Sequence, residues 1–258
     1  MLRNAVSPSA VETARSAIGA IADRTEGKFS FDSRAVLSEE RRLLLEVLDD
    51  FLKGPVPEIF RAQHGVAPAV CLSITSVRRQ KHDDTKQLVG WHLDLNFAGD
   101  FNPFLIAWTA VEDVGEARAA LDVCVPRDAT LDLDLLLREL DRRSTTGAAK
   151  AFSTAEINAF LGEDKWSSRS IVAPAGSAAV FDQMILHRTQ HLETATLDRH
   201  SIEFRMVDLN RLPAYLRHQS AFYARLSEHR VLEILLISDG KRQPMSVEQF
   251  LTLGQGSQ

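Results

Sequence analysis

Cysteine is scarce in this chain: Cys71 and Cys124 are the only two in 258 residues. No CxxC or CxxH pair occurs, which excludes the usual spacing of a structural zinc site. Both cysteines sit in apolar, strand-like runs, where buried reduced thiols are expected. Long apolar runs are also missing. Even Ile234 to Ile237 is far too short to span a bilayer. The segment from Met1 to Arg24 has no extended apolar core, so it does not read as a secretory signal, and Glu12 and Asp23 argue against a transit peptide. A cytoplasmic location without a membrane partner is the expectation. Nor is there an excess of positive charge: 30 Lys and Arg stand against 35 Asp and Glu, for a net charge of -5. The basic residues are scattered apart from small clusters such as Arg78-Arg79 and Arg142-Arg143. Nothing therefore calls for a nucleic-acid partner or for coenzyme A phosphates. No repeat with a period of roughly 20 to 50 residues is present, which excludes solenoids and propellers. No low-complexity linker divides the chain, so one domain over residues 1–258 is expected.

What is present is an ordinary globular composition, 45% hydrophobic and 25% charged, in a chain long enough to bury a core without staples. Residues 10–24 carry Ala and Ile at helical spacing. In residues 38–53, Leu43, Leu44, Val47, Leu48 and Phe51 form one helical stripe, with Ser38 placed to cap it; core packing is its expected use. From Val70 the texture changes to short β-branched runs. VCLSITSVRRQ, LVGWHLDLNF, PFLIAWTAVED and ALDVCVP read as strands, the third covered on both faces because it is almost wholly apolar. The polar KHDDTK reads as a loop. Residues 127–169 interrupt this pattern with two helices, the second opened by the capping box Ser153–Glu156 and closed by Gly162. Strands resume at SIVAP, SAAVFDQ and HSIEFRMVDL. Pro213 to His229 reads as helical, followed by a strand and a turn at Asp239-Gly240. The pattern predicts a mainly β fold with flanking helices: a helical part over 1–69, a double-sheet or closed β core over 70–210 with a helical insertion at 127–169, and a C-terminal helix and tail over 211–258.

Three HxD/E patterns occur among eight His and 35 acidic residues, where about one is expected by chance. His82-Asp84 and His191-Glu193 lie in polar stretches and read as solvated loops. His92 and Asp94 alone sit between large apolar neighbours. On a strand these two side chains share a face, and a buried carboxylate there needs a partner. A metal is one such partner. Two histidines and one carboxylate on one face of an octahedron leave three positions open, which suits iron(II) oxygen chemistry. His187, after the run PAGSAAVFDQMIL, is the candidate third ligand; a capped loop histidine is the plain alternative. Arg199, Ser201, Glu203 and Arg205 share the face of a later strand and line either a cavity or a wet surface. Arg199 and Arg205 stand about 20 Å apart at roughly 3.3 Å per residue, so one carboxylate cannot engage both and only one can sit near the metal. Arg78 and Gln80 could line the same pocket or form an exposed strand end. Asn96, Phe97 and Phe101 could border a substrate mouth. The insertion is either a lid or a helical pair packed on the barrel.

The order WHLD, a Trp-bearing strand, GSxxxFD(x)4HRT and RxS resembles the phytanoyl-CoA dioxygenase superfamily over residues 70–207. The resemblance implies a double-stranded β-helix of the jelly-roll or cupin type. It implies Fe(II) held by His92, Asp94 and His187, with 2-oxoglutarate and O2 as co-substrates. It implies Arg199 paired with the far carboxylate of 2-oxoglutarate, Ser201 beside it, and Thr189 and Trp108 as further co-substrate contacts. The planar fork of Arg suits a carboxylate better than Lys does. The activity implied is a dioxygenase that hydroxylates a small organic molecule through a ferryl oxidant and releases succinate and CO2. Related halogenases lack the carboxylate ligand; Asp94 favours oxidation over halogenation. Two alternatives stay open. One is a non-catalytic cupin-like domain that binds a metal or ligand. The other is the same iron site performing desaturation, epimerisation or ring formation.

Overall fold

The computed structural model describes residues 1–25, 28–30, 36–72, 75–84, 88–95, 104–127, 131–146, 151–208, 211, 234–238 and 241–245. The chain opens with helix α1 (Pro8–Ala22), capped by Ser7, whose hydroxyl accepts from the Ala10 amide. Pro8 suits the first turn because its missing N–H would have no helical partner. Helix α2 (Ser38–Leu52) follows the short strand β1 (Lys28–Ser30), and α3 (Val56–His64) ends at Gly65 in the left-handed region. Small residues Ala10, Ala14 and Ala17 on the buried face of α1 let it lie close on α2.

Strands β2 (Ala69–Cys71), β3 (Ser76–Gln80), β4 (Phe104–Ala110), β7 (Ala178–Asp182), β9 (Arg199–Val207), β10 (Ile234–Ser238) and β11 (Lys241–Met245) join β1 in one antiparallel sheet. β9 lies at its centre, with β4 on one side and β3 then β2 on the other. A second sheet has the order β6 (Trp166–Ser170), β5 (Leu121–Pro126), β8 (His187–Thr189). Between β5 and β6 stand helices α4 (Asp134–Thr146) and α5 (Thr154–Leu161). Two facing antiparallel sheets of this kind make the jelly roll. All seven residues of β4 are buried, as expected of a strand covered on both faces.

The alternation along β9 divides the interior. Ile202, Phe204 and Met206 turn to α1 and α2 and join Leu44, Leu48 and Phe51 in one apolar cluster. Phe51 and Phe204 stack with centroids 4.2 Å apart. Opposed residues in an antiparallel pair share a face, so the register groups Arg199 with Gln80, Ser201 with Arg78 and Ala110, Glu203 with Ser76 and Trp108, and Arg205 with Ile106 on the side turned to the second sheet.

Several sequence expectations are corrected. Ser38 is the first residue of α2 rather than its cap; Leu37 holds the cap position, and its amide donates to Glu40. The run 70–80 is two strands, not one. The segment around WHLD is no regular strand: Trp91 and His92 make isolated bridges to Phe152 and His187 before a turn begins at Asp94. The helical insertion ends before 169, because Trp166–Ser170 pairs with β5 and the SIVAP strand is displaced into it. The 1–69 part contains β1, and the C-terminal tail returns β10 and β11 to the main sheet beside β2. The helix expected at 213–229 and Asn96, Phe97 and Phe101 lie outside the described residues. So do Asp239 and Gly240, which separate β10 from β11. Helices α4 and α5 pack on Trp91, Leu93, Leu186 and Trp166, the outer side of the second sheet, which is the packed arrangement of the insertion. Cys124 is buried, and burial pushes its thiol up to about 12. Among the described residues no helix is long and apolar enough to cross a membrane.

Phe204→Ala removes the ring stacked on Phe51 from the centre of the largest core cluster. Urea denaturation should show a loss of about 3–5 kcal/mol, the usual range for Phe→Ala in a core. A loss under about 1 kcal/mol would show that the helical layer does not depend on this contact.

Candidate metal centre and co-substrate pocket

His92 and His187 face each other across an antiparallel bridge. The His92 amide donates to the His187 carbonyl (2.8 Å) and the His187 amide to the His92 carbonyl (3.1 Å). Their rings lie 4.2 Å apart between centroids. Gly90 precedes this bridge, where a Cβ would stand 2.8 Å from the Phe152 carbonyl oxygen. Glycine thus lets the insertion approach, and Trp91 and Phe152 exchange backbone hydrogen bonds of 2.9 and 2.7 Å.

Both imidazoles are oriented in the same way. Nδ1 of His92 lies 2.9 Å from the Gly90 carbonyl oxygen, and Nδ1 of His187 lies 2.9 Å from that of Ile185. A carbonyl can only accept, so each Nδ1 carries a proton and each Nε2 is the ring atom left for a ligand role. Burial, followed by the neighbouring His187, pushes the His92 imidazolium well below its ordinary range, with Asp94 opposing. His92 is therefore neutral near pH 7. Asp94 is buried, and its Oδ1 has no hydrogen-bond partner among the described residues. That oxygen lies 3.8 Å from His92 Nε2. One ligand atom from each of His92, Asp94 and His187 falls within 4.8 Å of the others, and this is the one such cluster among the described residues. Two imidazoles with Nδ1 engaged and an orphaned carboxylate oxygen are a donor set that fits a divalent metal.

His82 and His191 do not join this cluster. His82 is exposed and bonded to Asp198, and His191 is exposed. Sequence reasoning separated Arg205 from the metal, and the structure corrects this. Its Nη2 stands 3.5 Å from Asp94 Oδ2 and 2.8 Å from Glu203 Oε2, while Ser76 donates to the same Glu203 oxygen. The sequence placed Arg205 on the polar face of this strand but carried no signal for its nearness to Asp94, because only the fold returns that end of β9 to Asp94.

Arg199 is 1% exposed. Its Nη1 donates to the carbonyls of Ala120 (2.7 Å) and Ala119 (3.3 Å), and its Cζ stands 5.4 Å from the centre of the Trp108 ring. Arg199 Nε, Ser201 Oγ and Trp108 Nε1 are buried donors without a partner among the described residues. Burial, with Arg78 adding to it, pushes the Arg199 guanidinium down to about 9; Glu203 and Glu112 oppose. Arg78 Nη1 reaches Thr189 Oγ1 at 3.4 Å, and Gln80 is buried, so both belong to the interior rather than to an exposed strand end. A carboxylate placed here would meet several donors and relieve the unfavourable charge balance.

The profile of the phytanoyl-CoA dioxygenase (PhyH) family matches residues 1–201. No curated protein matches by sequence. Among solved structures, the non-heme alpha ketoglutarate dependent carbocyclase SnoK from nogalamycin biosynthesis gives a TM-score of 0.57 at 16% identity, covering 92% of this chain and 90% of that one. The epimerase SnoN from nogalamycin biosynthesis gives 0.53 at 14%, covering 96% and 90%. HygX from Streptomyces hygroscopicus, with nickel and 2-oxoglutarate bound, gives 0.51 at 17%, covering 80% of each chain. At these identities the likeness is one of fold.

Calorimetry with Fe(II) under argon checks the ligand set. His92→Ala, Asp94→Ala and His187→Ala should each weaken binding by more than the roughly 10–100-fold typical of losing an outer partner. His82→Ala and His191→Ala should leave it unchanged. Wild-type affinity in any of the first three removes that residue from the set.

Proposed function

The chain belongs to the phytanoyl-CoA dioxygenase family, and from that premise we propose that it is an Fe(II)- and 2-oxoglutarate-dependent dioxygenase that hydroxylates a small organic molecule. The observation that carries this reading is the joint presence of two unsatisfied sets inside one two-sheet fold: the His92, Asp94, His187 donors and the buried Arg199, Ser201, Trp108 donors. His92, Asp94 and His187 would hold the iron. Arg199 would pair with the far carboxylate of 2-oxoglutarate, with Ser201, Trp108, Thr189 and Arg78 around it. When bound, Fe(II) and 2-oxoglutarate supply oxidising power from O2, with release of succinate and CO2.

The protein's part is positional. The Gly90 and Ile185 carbonyls hold each imidazole with Nε2 toward the shared centre. Arg205 engages the outer oxygen of Asp94 and leaves Oδ1 for the metal. Trp108 and the apolar residues around it exclude water from the carboxylate end, which strengthens each charged contact there. A non-catalytic binding domain would need neither set complete. A second reading keeps the site and changes the outcome to epimerisation, ring formation or desaturation; it is favoured by the carbocyclase and epimerase among chains of the same fold.

Arg199→Ala leaves the co-substrate's carboxylate unpaired in a dry pocket, at a cost of roughly 2–5 kcal/mol. The apparent 2-oxoglutarate constant should rise by about one to three orders of magnitude, with Fe(II) affinity unchanged in anaerobic titrations followed by the visible charge-transfer band. Arg205→Ala should leave the 2-oxoglutarate constant nearly unchanged. Exchanged phenotypes would move the anchor to Arg205. An effect from neither would remove 2-oxoglutarate from the reading.

A further inference from the structure

A cavity of about 830 Å³ opens between β5 and β6 of the second sheet and β7 of the main sheet. Among the described strands β6 pairs with β5 alone and β7 with β4 alone, so these are the outer strands of the two sheets. Six large apolar side chains are exposed among the described residues, and three of them, Met1, Val172 and Ile185, line this one cavity. Single exposed apolar residues are ordinary, but a cluster around a concavity marks a binding site.

Three residues of the lining also adjoin His187, one of the candidate metal ligands. Phe181 lines it, with its ring 4.9 Å from that of His187. Val123 lines it and is the register partner of His187. Ile185 lines it and supplies the carbonyl that orients His187. Arg169, on the exposed edge of β6, is the one charged side chain in the lining.

We propose that this cleft is the substrate site, and that it takes a carbon-rich, ring-sized molecule that is neutral or carries one negative charge. The proposal rests on the metal reading above and deepens it. The cleft's volume suits a ligand of drug size, for which such pockets run to about 1,000 Å³. Its walls reward the burial of apolar area. A coenzyme A thioester is the wrong class: its several phosphate charges would meet one charged side chain among the described residues of the lining.

The test uses the full chain, Mn(II) at the metal site, and 8-anilinonaphthalene-1-sulfonate as a ring-rich monoanionic probe. Fluorescence titration should show saturable binding to one site per chain. Val172→Glu and Ile185→Glu, both at exposed positions that tolerate a charge, should weaken it at least tenfold. Leu135→Glu, at an exposed apolar residue outside the cleft, should leave it within twofold. Coenzyme A should not displace the probe. Added Mn(II) should broaden the proton resonances of the bound probe in the wild type and not in Asp94→Ala. Equal weakening by Leu135→Glu, or displacement by coenzyme A, overturns the proposal. Mn(II) bound, as counted by electron paramagnetic resonance, without broadening of the probe also overturns it and leaves the metal reading standing. No Mn(II) binding at all overturns the metal reading and this inference with it.

Discussion

The paired backbone hydrogen bonds between His92 and His187 are the contact on which the site depends. They form an isolated bridge outside the named strands, seconded by the Thr189 amide donating to the Val89 carbonyl, yet they set two imidazoles on one face at ligand spacing. The bridge is held from both directions. β8 is tied to β5 by regular pairing, while Trp91 is tied to Phe152 and packed under α4 and α5. The helical insertion thereby gains a structural role. It replaces the missing sheet neighbours of the WHLD segment with apolar packing, and Trp91 and Trp166 meet edge to face at 5.2 Å beneath it. Side chains fixed by such packing hold a metal geometry better than side chains on a free loop.

The second constraint is the charge buried on the inner side of β9. Arg199, Arg205, Glu203 and the nearby Asp94 and Arg78 occupy an interior that would otherwise be apolar. Burying isolated ions costs several kcal/mol each. Part of that cost is offset within the chain, through Ser76–Glu203–Arg205–Asp94 at one end and the Ala119 and Ala120 carbonyls at the other. The remainder is visible as donors without acceptors and as the lowered Arg199. A fold that keeps such groups gains from a ligand that completes them.

Much of this was legible in the sequence, for definite physical reasons. β4 announced itself because a strand covered on both faces must be apolar throughout. The α2 stripe and the Ser153–Glu156 box are local patterns that need no tertiary knowledge. The WHLD pair stood out because a carboxylate among large apolar residues demands a partner, and His187 and Arg199 followed from a spacing that resembles one family. Other features left no local trace. β6 reads WSSRS, polar and exposed outside Trp166, and is a strand only because β5 offers it a ladder. The short β1 has the same origin. Arg205 was placed far from the metal by counting residues along β9. The count was sound; what it lacked was the position of Asp94, which the turn after His92 brings to that end of the strand.

On the proposed reading, the two arginines of β9 bracket the site instead of competing for one ligand. Arg199 stands at the end where Ala119, Ala120 and Trp108 close the interior, and Arg205 at the end where Asp94 meets the metal position. Six residues of strand separate them by about 20 Å at their Cα atoms. On the proposed reading, a five-carbon diacid paired with Arg199 would point from that end toward the His92, Asp94 and His187 ligand atoms. The register that makes this possible is enforced on both sides of β9, by β3 and by β4. A slip of one residue would turn Arg199, Ser201, Glu203 and Arg205 into the helical core and Ile202, Phe204 and Met206 into the site. The apolar packing of Phe204 against Phe51 therefore does more than stabilise the fold. It fixes which face of β9 carries the chemistry.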